Sequence, residues 1–165
     1  MEERKKRHLF LTGVKGVGKS TLLRSLLVGK GPLGGFRTVR VVHPGGANVY
    51  MLPASGHEIC CEGNLLFTCG DTVSPDAFDR LGCAMLTDRQ AAVVVMDELG
   101  PAEAQAFAFQ RAVLAQLDGN IPVYGVIQQA RTPFLDAVHT HPAVELVEVT
   151  ADNRDALAER LKKKW

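Results

Sequence analysis

Gly13-Val14-Lys15-Gly16-Val17-Gly18-Lys19-Ser20 fills the pattern G-x-x-x-x-G-K-[ST], and it decides how the rest of the chain is read. It follows a short apolar segment, His8-Leu9-Phe10-Leu11-Thr12. It precedes Lys19–Val28, where Leu22, Leu23, Leu26 and Leu27 recur at helical spacing before Gly29, a helix C-cap. A strand entering the loop and a helix leaving it are the context the pattern needs. The glycines let backbone N–H groups converge on phosphate oxygens with no Cβ in the way. The N-terminus of the outgoing helix adds partial positive charge. Lys19 is then placed to reach β- and γ-phosphates, and the Ser20 hydroxyl to bind Mg²⁺. Gly13, Val14, Gly16, Val17 and Gly18 complete the cradle, and Thr21 is a candidate α-phosphate contact. Lys15 is either a solvated lysine or a further phosphate contact.

A phosphate loop of this kind needs an acidic partner, and the chain has one. Ala91–Met96 is an unbroken apolar run, the mark of a strand buried on both faces, and Asp97-Glu98 follows at once. Acids at the carboxyl end of a parallel strand face the loop. Asp97 is assigned to the metal beside Ser20, and Glu98 to the base that takes a proton from attacking water. The same residues read as D-x-x-G through Gly100, but no N-K-x-D follows to read a guanine base. Guanine-specific switching is the weaker reading.

Other polar residues follow the later strands. Gln128 and Gln129 come after Pro122–Ile127, either orienting water or lying in a surface loop. Arg131 and Arg111 are candidate charge stabilisers. Asn153 and Arg154 follow the last strand, as contacts to a nucleotide base or as a plain helix start.

Charge is distributed unevenly around this motif. Residues 1–40 hold ten Lys and Arg against two acids, whereas residues 41–165 hold nine against sixteen, so a net +1 hides a basic, glycine-rich N-terminal third. The total is too small to argue for bulk nucleic-acid binding, and Arg4–Arg7 and Lys162–Lys164 read as solvated tails. The longest apolar stretch, Ala91–Met96, is far below the ~20 residues of a spanning helix. The basic start is followed only by Leu9-Phe10-Leu11, too short for a signal peptide, which points to the cytoplasm. Cys60, Cys61, Cys69 and Cys83 form no CxxC pair and read as free thiols rather than metal ligands.

The remaining pattern alternates. Gly31–Gly35 reads as a turn, and Phe36–Val42, Ala47–Leu52 and Leu65–Thr68 as short strands of a β-rich insert over residues 36–68. Helices are expected from Ser74-Pro75 to about Met85, over Glu103–Leu117, Pro133–His139 and Asn153–Lys164, with strands at Pro122–Ile127 and Val144–Val149. One α/β domain over 1–165 follows, with a largely parallel central sheet in a three-layer sandwich and an antiparallel β-meander insert.

Several segments together resemble the cancer-related nucleoside-triphosphatase family, a nucleotide-kinase-like family of P-loop NTPases. They are Leu11-Thr-Gly-Val-Lys-Gly-Val-Gly-Lys-Ser-Thr21, Gly34-Gly-Phe-Arg-Thr38, Val93-Val-Val-Met-Asp-Glu-Leu-Gly100, the helix holding Phe107–Leu117, Arg131-Thr-Pro-Phe134, and Thr150-Ala-Asp-Asn-Arg-Asp155. The resemblance implies Mg²⁺-dependent hydrolysis of ATP, GTP, CTP and UTP to diphosphate and phosphate. Two departures stand out: Val14-Lys15-Gly16 within the loop, and Pro101-Ala-Glu103-Ala-Gln after Gly100. The expected enzyme is a monomeric NTPase. The alternatives are a small-molecule or nucleotide kinase using the insert as its acceptor wall, and a slow nucleotide-dependent switch.

Overall fold

The computed structural model describes residues 5–165, so the start of the basic tail through Arg4 lies outside it. The sheet is built from β1 (His8–Thr12), β2 (Leu33–His43), β3 (Gly46–Pro53), β4 (Leu65–Thr68), β5 (Val93–Leu99), β6 (Val123–Ile127) and β7 (Val144–Glu148). Their order across it is β4-β3-β2-β5-β6-β1-β7. The five strands from β2 to β7 in that order run parallel, while β3 and β4 add on antiparallel at one edge.

Helices cover both faces and make the three layers. On one face α1 (Lys19–Leu27) and α6 (Arg154–Lys164) bury Leu22, Leu23 and Leu26 with Leu157 and Leu161 against Leu9, Leu11, Val95 and Val126. The other face is covered by α2 (Pro75–Ala77), a π-turn (Phe78–Gly82) and α3 (Cys83–Met85), together with α4 (Phe107–Asp118) and α5 (Pro133–His139). There Phe109 sits at the centre of an aromatic group, 5.6 Å from Phe36, 5.9 Å from Phe78 and 6.5 Å from Phe134 between ring centroids. Alternating strand residues feed the two cores: Phe10 goes to the second face, Leu9 and Leu11 to the first. One polar residue in β1 is fully buried, because His8 accepts from the Val123 amide through Nδ1 and its Nε2 lies 2.9 Å from the Leu117 carbonyl oxygen.

The parallel α/β architecture agrees with the reading of the sequence, and the differences have local causes. The turn expected at Gly31–Gly35 is shorter, since β2 begins at Leu33 and pairs with β5 from Leu33↔Val93 to Arg37↔Asp97. Gly35 lies at φ 84°, and a Cβ there would run into the Val95 backbone, so only glycine lets these strands close. The insert is therefore not set apart from the main sheet: β2 is a parallel core strand and the first arm of the meander at once. The helix expected from Glu103 begins four residues later. Glu103 closes a separate 3₁₀ turn, Pro101–Glu103, and the Phe109 amide in the first turn of α4 is taken by Asp79 Oδ1 at 2.8 Å. Among the described residues no helix is long and apolar enough to cross a membrane.

Candidate active site

The loop between β1 and α1 lies at the carboxyl ends of the parallel strands, where the sheet's open edge forms a cleft of about 840 Å³. Gly13, Gly16 and Gly18 adopt φ of 138°, 80° and 101°. At Gly13 the reason is visible, because a Cβ would strike the Val149 carbonyl. Val17 turns inward and is 8% exposed in the core under α1 and α6, which anchors the middle of the loop. Val14 projects outward, and Lys15 lines the mouth of the cleft.

Lys19 is 8% exposed, and its ammonium donates to the carbonyls of Gly13 (2.9 Å) and Val14 (2.8 Å). An ammonium has three N–H donors, so this geometry holds the charge inside the loop and leaves one donor for a ligand. One residue on, Ser20 Oγ donates to Asp97 Oδ1 at 2.9 Å. This bond joins the first turn of α1 to the end of β5 across 77 residues of sequence.

Strand β5 runs three residues beyond the apolar run, to Leu99, so Asp97 and Glu98 are part of it, with Asp97 opposite Arg37 on β2 and Val126 on β6. Burial pushes the Asp97 carboxyl above its ordinary range. The Ser20 hydrogen bond pulls it back, Glu98 raises it further, and Arg24 and Arg37 draw it down. Glu98 lines the cleft beside it. Two hard oxygen donors in contact, a hydroxyl and a carboxylate, fit a Mg²⁺ ion that takes its remaining ligands from water and phosphate rather than from a protein cage.

The other candidates divide. Thr21, Gln128 and Gln129 line the cleft, whereas Val17, Asn153, Arg154, Arg111 and Arg131 do not. Asn153 is used up in its own turn, accepting from the Thr150 amide at 2.7 Å and donating to the Glu148 carbonyl at 3.0 Å. Arg154 lies along the loop, with its guanidinium 3.4 Å from the Val17 carbonyl oxygen and its stem against Gly18. Arg154 thus touches the loop, whereas the Asn153 side chain bonds only within the turn after β7. Arg131 pairs with Asp136 on the exposed side of α5. The four cysteines are free, and among the described residues no group of three or more His, Cys, Asp or Glu is arranged to hold a metal.

Two features of the cleft go beyond the candidate residues read from the sequence. One is Glu103, which is 2% exposed at the cleft wall and accepts from the Gly100 amide at 2.8 Å. The other is the far wall, made by Thr38 and Arg40 of β2, Val49 of β3, Leu66 and Phe67 of β4, and Phe78. Glu103 had a faint signal, being three residues beyond Gly100 in a capping position. The wall falls largely within the β-rich insert of residues 36–68, which the sequence offered only as the acceptor wall of a kinase.

Known proteins match this arrangement along nearly the whole chain. The family model described as NTPase matches residues 8–162. The nucleoside-triphosphatase THEP1 of Methanopyrus kandleri is 28% identical, with 93% of this chain and 92% of that protein aligned. The cancer-related nucleoside-triphosphatase homolog of Mus musculus is 29% identical, with 92% of each aligned. In three dimensions the crystal structure of THEP1 from Aquifex aeolicus superposes with a TM-score of 0.70 at 24% identity, covering 93% of this chain and 96% of that one. The solution structure of a human cancer-related nucleoside triphosphatase gives 0.63 at 25%, covering 96% of each. With the loop, the acid pair and the fold all in place, the chain belongs to the NTPase family of enzymes.

Proposed function

We propose that the protein hydrolyses nucleoside triphosphates to diphosphate and phosphate with Mg²⁺, accepting ATP, GTP, CTP and UTP. The observation that carries this reading is the Ser20–Asp97 hydrogen bond, which brings a phosphate-binding helix N-terminus and a strand-end carboxylate to one point beside Glu98. The loop amides and Lys19 bind and orient the triphosphate, and Ser20 and Asp97 are the residues that would hold the metal. When bound, Mg²⁺ neutralises charge that develops on the β- and γ-phosphate oxygens. Glu98 accepts the proton of a water attacking the γ-phosphorus, and Lys19 stabilises the departing diphosphate. The broad base tolerance is supported by the contacts around the loop: Asn153 bonds within its own turn, Arg154 lies along the loop, and neither lines the cleft.

Phosphate release from each of the four triphosphates, with and without Mg²⁺, tests the proposal. Release from all four that requires the metal is expected. Tight binding without release would overturn it in favour of transfer to another acceptor. That second reading has its own observation, since the cleft continues past the acid pair to Thr38, Arg40, Phe67 and Phe78, more room than a water requires.

A further inference from the structure

Three carboxyls, Asp97, Glu98 and Glu103, line a cleft whose ligand is a polyanion. The first two have roles in the reading above. Glu103 has none, and it is the most buried of the three. Its position is well defined. Oε1 accepts from the Gly100 amide at 2.8 Å, closing the turn that immediately follows Glu98-Leu99. The backbone of the same turn is held from α4, where Gln110 donates to the carbonyls of Glu103 (2.8 Å) and Ala104 (3.0 Å). On the other side the Gln128 amide donates to the Leu99 carbonyl at 2.9 Å, and the Gln128 side chain packs flat on Gly100, leaving no room for a Cβ.

These neighbours leave the carboxyl without a cationic partner among the described residues. Gln110 and Gln128 are neutral. The charged groups around it are Glu98 and Asp97 on β5 and, elsewhere in the same cleft, Lys15 and Lys19 of the loop and Arg40 of β2. Burial pushes the Glu103 carboxyl up to about 8, opposed by the backbone amides of Gly100 and Glu103 and raised further by Glu98. Because Oε1 accepts from an amide, the proton of the neutral form belongs on Oε2.

We propose that Glu103 is a positioning residue that works as a neutral acid: it fixes the Gly100 turn behind Glu98 and keeps a third negative charge out of the cleft that receives the polyphosphate. The proposal rests on the nucleotide-binding reading of the loop and not on the identity of the acceptor. When Glu103 ionises, its new charge opposes the triphosphate, so nucleotide affinity falls in alkaline solution while the fold around the loop is unchanged. Glutamine keeps the oxygen that caps Gly100 and cannot ionise.

The dissociation constant of the non-hydrolysable ATP analogue AMP-PNP with Mg²⁺, measured from pH 6 to 9.5 for the wild type and Glu103→Gln, separates the roles, with phosphate release from ATP followed in parallel. Wild-type affinity is expected to weaken by about tenfold or more through the ionisation, and Glu103→Gln to stay level. A purely structural cap predicts the same profile for both, and that result would overturn the proposal. So would titration of the Glu103 carboxyl near its ordinary value in ¹³C NMR of the glutamate-labelled wild type, a measurement that needs no variant to fold. Binding with this pH profile but without phosphate release supports the Glu103 role while sinking the hydrolase reading.

Discussion

The two halves of the cleft are built in different ways. The phosphate half is one contiguous stretch, Gly13 to Thr21, whose working parts are mostly backbone amides held by glycine dihedrals and by Val17 packed beneath them. The meander half collects Thr38, Arg40, Val49, Phe67 and Phe78 from three strands and a π-turn, and its working parts are side chains. Between them stands β5 with its acid pair, because the strand order puts β5 and β6 between β2 and β1. A backbone-built site recognises what all nucleoside triphosphates share, whereas a side-chain wall can be tuned to one partner. The broad substrate use we propose belongs to the first half, and any selectivity to the second.

The comparison is most easily broken at Lys19. Lys19→Ala removes the buried cation that the loop carbonyls hold and is expected to lower nucleotide affinity by at least about 100-fold in calorimetric titration, or roughly 2.7 kcal/mol. Retained binding would mean that the loop is not the phosphate site. Glu98→Gln, at the divide, keeps nucleotide affinity within about twofold and lowers kcat by about 10²- to 10⁴-fold. If this variant releases phosphate like the wild type, the base lies elsewhere.

Glycine substitutions probe how each half is held. Gly35→Ala forces a side chain into the Val95 backbone at the root of the meander and should cost at least about 2 kcal/mol in denaturant unfolding. Gly16→Ala, in the loop, meets no atom within 4 Å and carries only the strain of its φ of 80°, about 1 kcal/mol. Equal costs would remove the distinction between a packed root and an open loop.

Glu103 ties stability to pH. Its folded-state value of about 8 lies above the ordinary 4.5, so the folded chain binds the extra proton between those limits. Its contribution to stability is full below about pH 4.5 and is lost as the pH rises through about 8. Denaturation midpoints at pH 5, 7 and 9 should fall for the wild type more steeply than for Glu103→Gln. The smallest effect is expected on the meander wall. Arg40→Ala should raise KM for ATP two- to threefold, by rough electrostatic reckoning, at low salt and not at high salt. A large, salt-independent rise would place the triphosphate against the meander itself.

Much of this was legible in the chain. The loop, its flanking strand and helix, and the Asp97-Glu98 strand end are local patterns, and local backbone geometry is set by nearby residues. The α5 boundaries could be read for the same reason, with Thr132 capping the Leu135 amide and Pro133 in the first turn. Glu103 was hidden inside a helical pattern, because the interaction that stops the helix is its bond to Gly100 and the one that starts α4 comes from Asp79, some 30 residues away. Asn153 and Arg154 show the converse: a polar residue after a strand points toward the cleft or toward its own turn, and packing sends Asn153 to Thr150 and Glu148 and lays Arg154 against Val17 and Gly18.

Sequence alone determined that this protein carries a glycine-rich phosphate-loop pattern between a strand and a helix, has an acid pair at a strand end and folds as a largely parallel α/β sheet. Those features depend on residues close together in the chain. Tertiary structure decided that Ser20 meets Asp97, that β2 serves both the core and the meander, and that a buried Glu103 faces the same cleft. Those depend on strand order and on removal of side chains from water, and neither is fixed until distant segments have packed.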